Sequence, residues 1–173
     1  AHWMAQHGLG DAPVAVLAPG AAHATKRWPV AHWIGLADRL RAAGYRLVVV
    51  GGPADRGVAQ QLADDDRAAS AAGEFSLQET GAVIARARVL VSGDTGVMHM
   101  ATGVGTPVVA LFGPTVEQFG FFPYRARAVA LERPLDCRPC SALGSARCPL
   151  GHHRCLVDIT PAAVALAVER LTA

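Results

Sequence analysis

The sequence predicts an α/β domain, a Rossmann-like doubly wound parallel sheet, and three observations carry that expectation. Five short runs are apolar almost without interruption, as strands buried on both faces of a parallel sheet are. Segments of helical period lie between them, so strand and helix alternate along the chain. Glycine and proline gather where the runs end, at Pro19-Gly20, Gly51-Gly52-Pro53, Gly93 with Gly96, and Gly113-Pro114. Such turns let a ligand approach the backbone closely at the carboxyl edge of the sheet.

The elements follow in order. The opening AHWMAQHGLG has no clean period, and residues 1–12 read as an interdomain linker remnant or the end of a preceding helix. Residues 13–173 read as the domain itself, beginning with the strand VAVLA from Val14. PVAHWIGLADRLRAAG then places Trp33, Leu36, Ala37 and Leu40 on one helical face, with Gly44 as its stop. RLVVV from Arg46 completes a β-α-β unit. PADRGVAQQLADD and SLQETGAVIARA read as helices, and RVLV from Arg88 as the third strand. The short helix after Asp94 has Val97, Ala101 and Val104 as its apolar stripe, with Thr95, His99 and Thr102 on another face. PVVALF from Pro107 and ARAVAL from Ala126 are the last strands. ITPAAVALAVERL closes the chain, with Thr160 as N-cap, Pro161 in the first turn, and Val164, Val168 and Leu171 buried.

Composition bounds the function. With 173 residues, 51% of them hydrophobic, the chain suits one domain with a substantial core. Lys plus Arg is 16 and Asp plus Glu is 14, a net charge of +2 that argues against a nucleic-acid partner. An anionic ligand must therefore be met by local charges. No run approaches the ~18 apolar residues that span a bilayer, and no signal segment opens the chain. The expectation is a soluble, cytoplasmic domain, with peripheral association at the inner membrane face as the further option. The start at Ala1 reads as a domain cut from a longer protein.

The chemistry gathers at the strand ends. In PGAAHATKRWP, Lys26 and Arg27 arrive just before a helix N-terminus, where cations and the helix dipole together favour a phosphate or diphosphate. In SGDTGVMHMA, Asp94, Thr95, Gly96 and His99 stand where a strand meets a helix. Asp94 has two readings, a helix cap or a ligand contact, and His99 is either a packed or solvent-facing imidazole or a ligand contact. No G-x-G-x-x-G follows a strand, so a dinucleotide-binding oxidoreductase loses its main support.

The series PGAAHATKRWP, VVVGGPAD, SGDTGVMHMATGVGTPVVALFGPT, CRPC and CPLGHHRCLVDITP resembles the C-terminal domain of glycosyltransferase family 9, the lipopolysaccharide heptosyltransferases. The heptosyltransferase II subgroup looks nearer, because of KRWP and the cysteine-rich tail. The resemblance implies the donor half of a two-domain GT-B enzyme that moves heptose from ADP-heptose to the lipopolysaccharide inner core with inversion. It places the acceptor site and the catalytic base in an N-terminal half, so this chain alone is expected to bind donor and transfer nothing. Lys26 matches a lysine that contacts donor phosphate. Asp94, Thr95 and Gly96 match a block that contacts heptose and diphosphate, and His99 a histidine near the diphosphate. Asp55 aligns with an acidic position that holds the adenosine ribose, and Phe75 with an apolar position near adenine. Where some relatives have paired threonines, this chain has Ala21 and Ala22. No cofactor is required on this reading.

Cys137, Cys140, Cys148 and Cys155, with His152 and His153 among them, raise a different class of function, a structural zinc module. A C-x₂-C pair suits a zinc knuckle, but the later pair lacks a second one. The segment 137–155 is otherwise four reduced thiols in a packed loop, structural and distant from transfer chemistry. The remaining alternative is the donor domain of another GT-B transferase or of a sugar-nucleotide epimerase, since fold alone does not separate them.

Overall fold

The computed structural model describes residues 2–10 and 12–173. Six parallel strands form one sheet: β1 (Val14–Ala18), β2 (Arg46–Val49), β3 (Ala69–Ser70), β4 (Val89–Gly93), β5 (Val108–Leu111) and β6 (Ala128–Leu131), in the order β3-β2-β1-β4-β5-β6. The helices are α1 (His2–Gln6), α2 (Val30–Ala42), α3 (Arg56–Ala63), α4 (Leu77–Ile84), α5 (Gly96–Gly103), α6 (Arg154–Val157) and α7 (Pro161–Thr172). The doubly wound α/β expectation is met, with one strand more than the sequence reading gave.

Period-2 alternation along each buried strand feeds two cores. Ala15 and Leu17 of β1 face Trp33, Leu36, Leu40, Val164 and Val168 from α2 and α7. Val14, Val16 and Ala18 face Val83, Ile84, Met98 and Phe112 on the opposite side. Both sides of β1 are therefore covered by helix, and all five of its residues are buried. That explains why the strand runs read as continuous apolar stretches.

Local signals set the helix ends. Gly44 takes a φ of +89° after α2, while the Gly44 N–H donates to the Arg41 carbonyl and the Tyr45 N–H to the Leu40 carbonyl, closing the helix with a Schellman motif. Thr160 caps α7 through a bond from the Ala163 N–H at 3.3 Å. The stripe expected on α5 is corrected: Met98 and Ala101 are its buried residues, while Val104 is 42% exposed. The segment PADRGVAQQLADD is also not one helix, because 3₁₀ turns at Pro53–Asp55 and Asp64–Asp66 flank α3.

Strand order reverses at β1, whose neighbours are β2 on one side and β4 on the other. In an open parallel sheet the loops leaving two such strands diverge to opposite faces and leave a crevice between them. Ala18 stands in register with Ser92, so the loops after β1 and β4 start level with each other. Among the described residues, no helix is long and apolar enough to cross a membrane.

Candidate functional site

Three strand exits build the site. The loop after β1 runs to a 3₁₀ turn at Ala24–Lys26, β4 delivers Asp94, and β5 delivers Thr115. Lys26 Nζ lies 2.6 Å from Asp94 Oδ2, with the two side chains 11% and 6% exposed. Thr115 Oγ1, fully buried, donates to the same oxygen at 2.9 Å. The Lys26 ammonium also stands 5.3 Å from the centre of the Phe121 ring. Charge and hydroxyl thus converge on Asp94 at the point where the strand order reverses.

This geometry sets aside the cap reading of Asp94. The N-cap position of α5 is Thr95, with extended backbone and no side-chain cap. Thr95 Oγ1 instead pairs with Ser92 Oγ at 3.0 Å. Among the described residues no hydrogen bond reaches Asp94 Oδ1, and no N–H of α5 donates to its carboxylate. The first turn of α5 therefore keeps free N–H groups beside a carboxylate held by Lys26 and Thr115.

Asp55 folds back so that its Oδ2 accepts the Gly52 N–H at 2.8 Å. Its carboxyl lies across the end of β1, where a Cβ at Gly20 would stand only 2.3 Å from Asp55 Cγ. Glycine is required there by close approach. Gly20, Arg27, Asp55, Thr95 and Val97 share the wall of a cavity of about 390 Å³ at this carboxyl edge. Larger cavities of about 590 Å³ occur near Arg39, Tyr45 and Arg88, and none of the sequence-predicted site residues lines them.

The structure thus brings Lys26 and Asp94 together, and Asp55 with Thr95. Gly96 and His99 lie exposed on the first turn of α5. Phe75 stands apart from them: its ring meets Trp3 edge-on at 5.0 Å, on the wall of a separate cavity of about 480 Å³. Sequence reasoning gave no role to Thr115, although the block quoted above ends on it. It gave none either to Arg138, inside CRPC, whose guanidinium donates to the Gly113 and Thr115 carbonyls.

The cysteine segment lies against the site rather than away from it. The Thr25 N–H and Oγ1 both donate to the Ser145 carbonyl, and His153 Nε2 donates to the Thr25 carbonyl at 2.9 Å. All four cysteines are free thiols. Burial, then the nearby Cys140, pushes the Cys155 thiol up to about 11, and burial followed by Cys148 and Cys137 raises Cys140. Burial also acts upward on Cys148, but hydrogen bonds from the backbone of His153, Leu150, Gly151 and His152 outweigh it and leave that thiol lowered. Among the described residues, no three His, Cys, Asp or Glu side chains are arranged to hold a metal ion. The zinc option therefore finds no formed site among the described residues.

The fold is an α/β domain with a strand-order reversal, and at its carboxyl edge a cation, a carboxylate and free helix N–H groups stand where open parallel sheets receive ligands. The chain belongs to glycosyltransferase family 9 (heptosyltransferase), whose model matches residues 3–149. It is 30% identical to lipooligosaccharide heptosyltransferase 2 of Haemophilus influenzae over 170 residues, 94% of this chain and 47% of that protein. The solved Escherichia coli ADP-heptose lps heptosyltransferase II superposes with a TM-score of 0.82 at 27% identity, covering 99% of this chain and 50% of that one. The E. coli heptosyltransferase WaaC, solved with ADP-2-deoxy-2-fluoro heptose, gives 0.72 at 25% identity, covering 93% and 44%. The chain spans about half the length of these relatives.

Proposed function

We propose that this chain is the donor-binding domain of a heptosyltransferase, residues 13–173 holding ADP-heptose and residues 1–12 leading in from an acceptor-binding N-terminal domain. The observation that carries this reading is the Lys26–Asp94–Thr115 cluster at the strand-order reversal, beside the cavity shared by Asp55 and Thr95. The similar enzyme named for ADP-heptose, and the one solved with a fluoro analogue, support the choice of donor.

The chemistry follows from group properties. An ammonium has three N–H donors, so Lys26 can stay on Asp94 while also bonding the donor diphosphate. Asp94 Oδ1 is then free to accept a sugar hydroxyl. The free N–H groups of α5, behind Thr95 and Gly96, add partial positive charge, and His99 on that turn adds a further donor. Asp55 is suited to the ribose hydroxyls. An acceptor hydroxyl attacks the anomeric carbon with inversion as the bond from that carbon to the diphosphate oxygen breaks. The proton passes to a base on the N-terminal domain, and ADP leaves with its charge stabilised by Lys26 and the α5 amides. The domain supplies leaving-group stabilisation by its own residues, without a cofactor. The acceptor is the lipopolysaccharide core, and the protein works in the cytoplasm at the inner membrane face. The cysteine segment serves as scaffold with reduced thiols.

Calorimetric titration with ADP and AMP tests the reading. A diphosphate site binds ADP more tightly, and equal affinity for the two nucleotides would overturn it.

A further inference from the structure

Arg138 is the most heavily bonded side chain near the site, yet it lies outside every strand exit. Its guanidinium, 5% exposed, donates through Nε to the Gly113 carbonyl at 2.5 Å and through Nη1 to the Arg133 carbonyl at 2.6 Å. Nη2 reaches both the Thr115 carbonyl and Glu132 Oε2 at 2.8 Å. Two of those acceptors, Gly113 and Thr115, bracket the turn that leaves β5. The planar fork fixes their carbonyls at a set spacing, which a point charge on a flexible stem does not do. Thr115 in turn aims its hydroxyl at Asp94 Oδ2, the oxygen that holds Lys26.

We infer that Arg138 is a positioning residue for the Lys26 ammonium, acting through the Thr115 backbone, the Thr115 hydroxyl and the Asp94 carboxylate. This rests on the donor-binding reading for its consequence, because what Arg138 sets is the cation offered to the diphosphate. Glu132 neutralises the guanidinium on its outer side, so Arg138 serves as a brace while Lys26 serves as the ligand contact.

The test compares wild type with Arg138→Gln, Arg138→Lys and Thr115→Val, using ADP and AMP as probes and the NMR signal of the Lys26 side chain without nucleotide. Thr115→Val removes only the hydroxyl link, so it keeps the test open if an Arg138 variant fails to fold. The Lys26 signal should move in all three variants. ADP affinity should fall roughly three- to tenfold, the scale of couplings transmitted through a packed network, while AMP affinity is held. In a Lys26→Ala background the same substitutions should cost no further ADP affinity, because the group they position is gone. Arg138→Lys should lose as much as Arg138→Gln. Wild-type affinity in Arg138→Lys would show that bare charge suffices, and equal losses for ADP and AMP, or undiminished losses without Lys26, would show a general structural effect. Either result overturns the proposal, as does an unmoved Lys26 signal. If wild type shows no preference for ADP, the donor reading fails by itself, and the Lys26 signal alone decides whether Arg138 sets its position.

Discussion

Thr25 and Ser145, 120 positions apart, bond in both directions: the Ser145 N–H donates to Thr25 Oγ1 at 2.8 Å, and Thr25 Oγ1 donates to the Ser145 carbonyl at 3.0 Å. The residue after Thr25 is Lys26, so this exchange ties the cysteine segment to the loop that carries the site's cation. Thr25→Val keeps the shape but strands the Ser145 N–H. Urea denaturation should show a loss of about 0.5–1.5 kcal/mol, the net worth of a hydrogen bond at a half-buried position. ADP binding per folded molecule should weaken as well, which calorimetry will read.

Removing the Lys26 ammonium should weaken ADP binding by roughly 1.5–3 kcal/mol, the scale of a charge-assisted hydrogen bond, and leave AMP less affected. Titration of Lys26→Ala with both nucleotides checks this. An equal loss for each would place the ammonium away from the second phosphate.

Asp94→Asn is expected to cost stability as well as ligand affinity. With both partners mostly buried, removing one charge leaves the other uncompensated, at a cost of about 3–5 kcal/mol. The double variant Asp94→Asn with Lys26→Met should lose less than the sum of its parts, because it leaves no orphaned charge. Thermal melts of the four proteins in the cycle measure the coupling.

Gly20→Ala should impair the opposite end of the ligand. Its new methyl meets the Asp55 carboxyl and displaces it from the Gly52 N–H. If Asp55 holds ribose, affinity for ADP and AMP should fall by the same factor, in contrast to Lys26→Ala. Paired titrations separate the two patterns.

Among the thiols, Cys148 should react first with iodoacetamide as pH rises. Its lowered pKa gives thiolate at lower pH, whereas Cys155, buried and raised to about 11, stays protonated through the same range. Mass spectrometry after timed alkylation at several pH values gives the order, and Cys155 labelled ahead of Cys148 in folded protein would contradict it.

The sheet was legible because its central strands are buried on both sides, which forces apolar runs, and because Gly44 and Thr160 are residues that mark helix ends. β3 escaped notice since two half-buried residues, Ala69 and Ser70, make no run. α1 and α6, of five and four residues, are too short to show a helical period. At the site, Lys26 and Asp94 could be read from their places at strand ends. Their pairing could not, because it depends on strand order, which local pattern does not encode. Thr115 and Arg138 act through a hydroxyl and through carbonyl contacts, and neither leaves a spacing in the sequence.

The reversal of strand order at β1 also governs how the site comes into being. β1 pairs with β4 only after the chain has passed through β2, β3 and α4, so the residues of the candidate site meet through contacts of long sequence separation. A cut in the exposed turn at Asp64–Asp66 would leave Lys26 and Asp55 on one fragment and Asp94, Thr115 and Arg138 on the other. Neither piece would hold a complete site, and recovery of nucleotide affinity on mixing would serve as a direct gauge of fragment complementation.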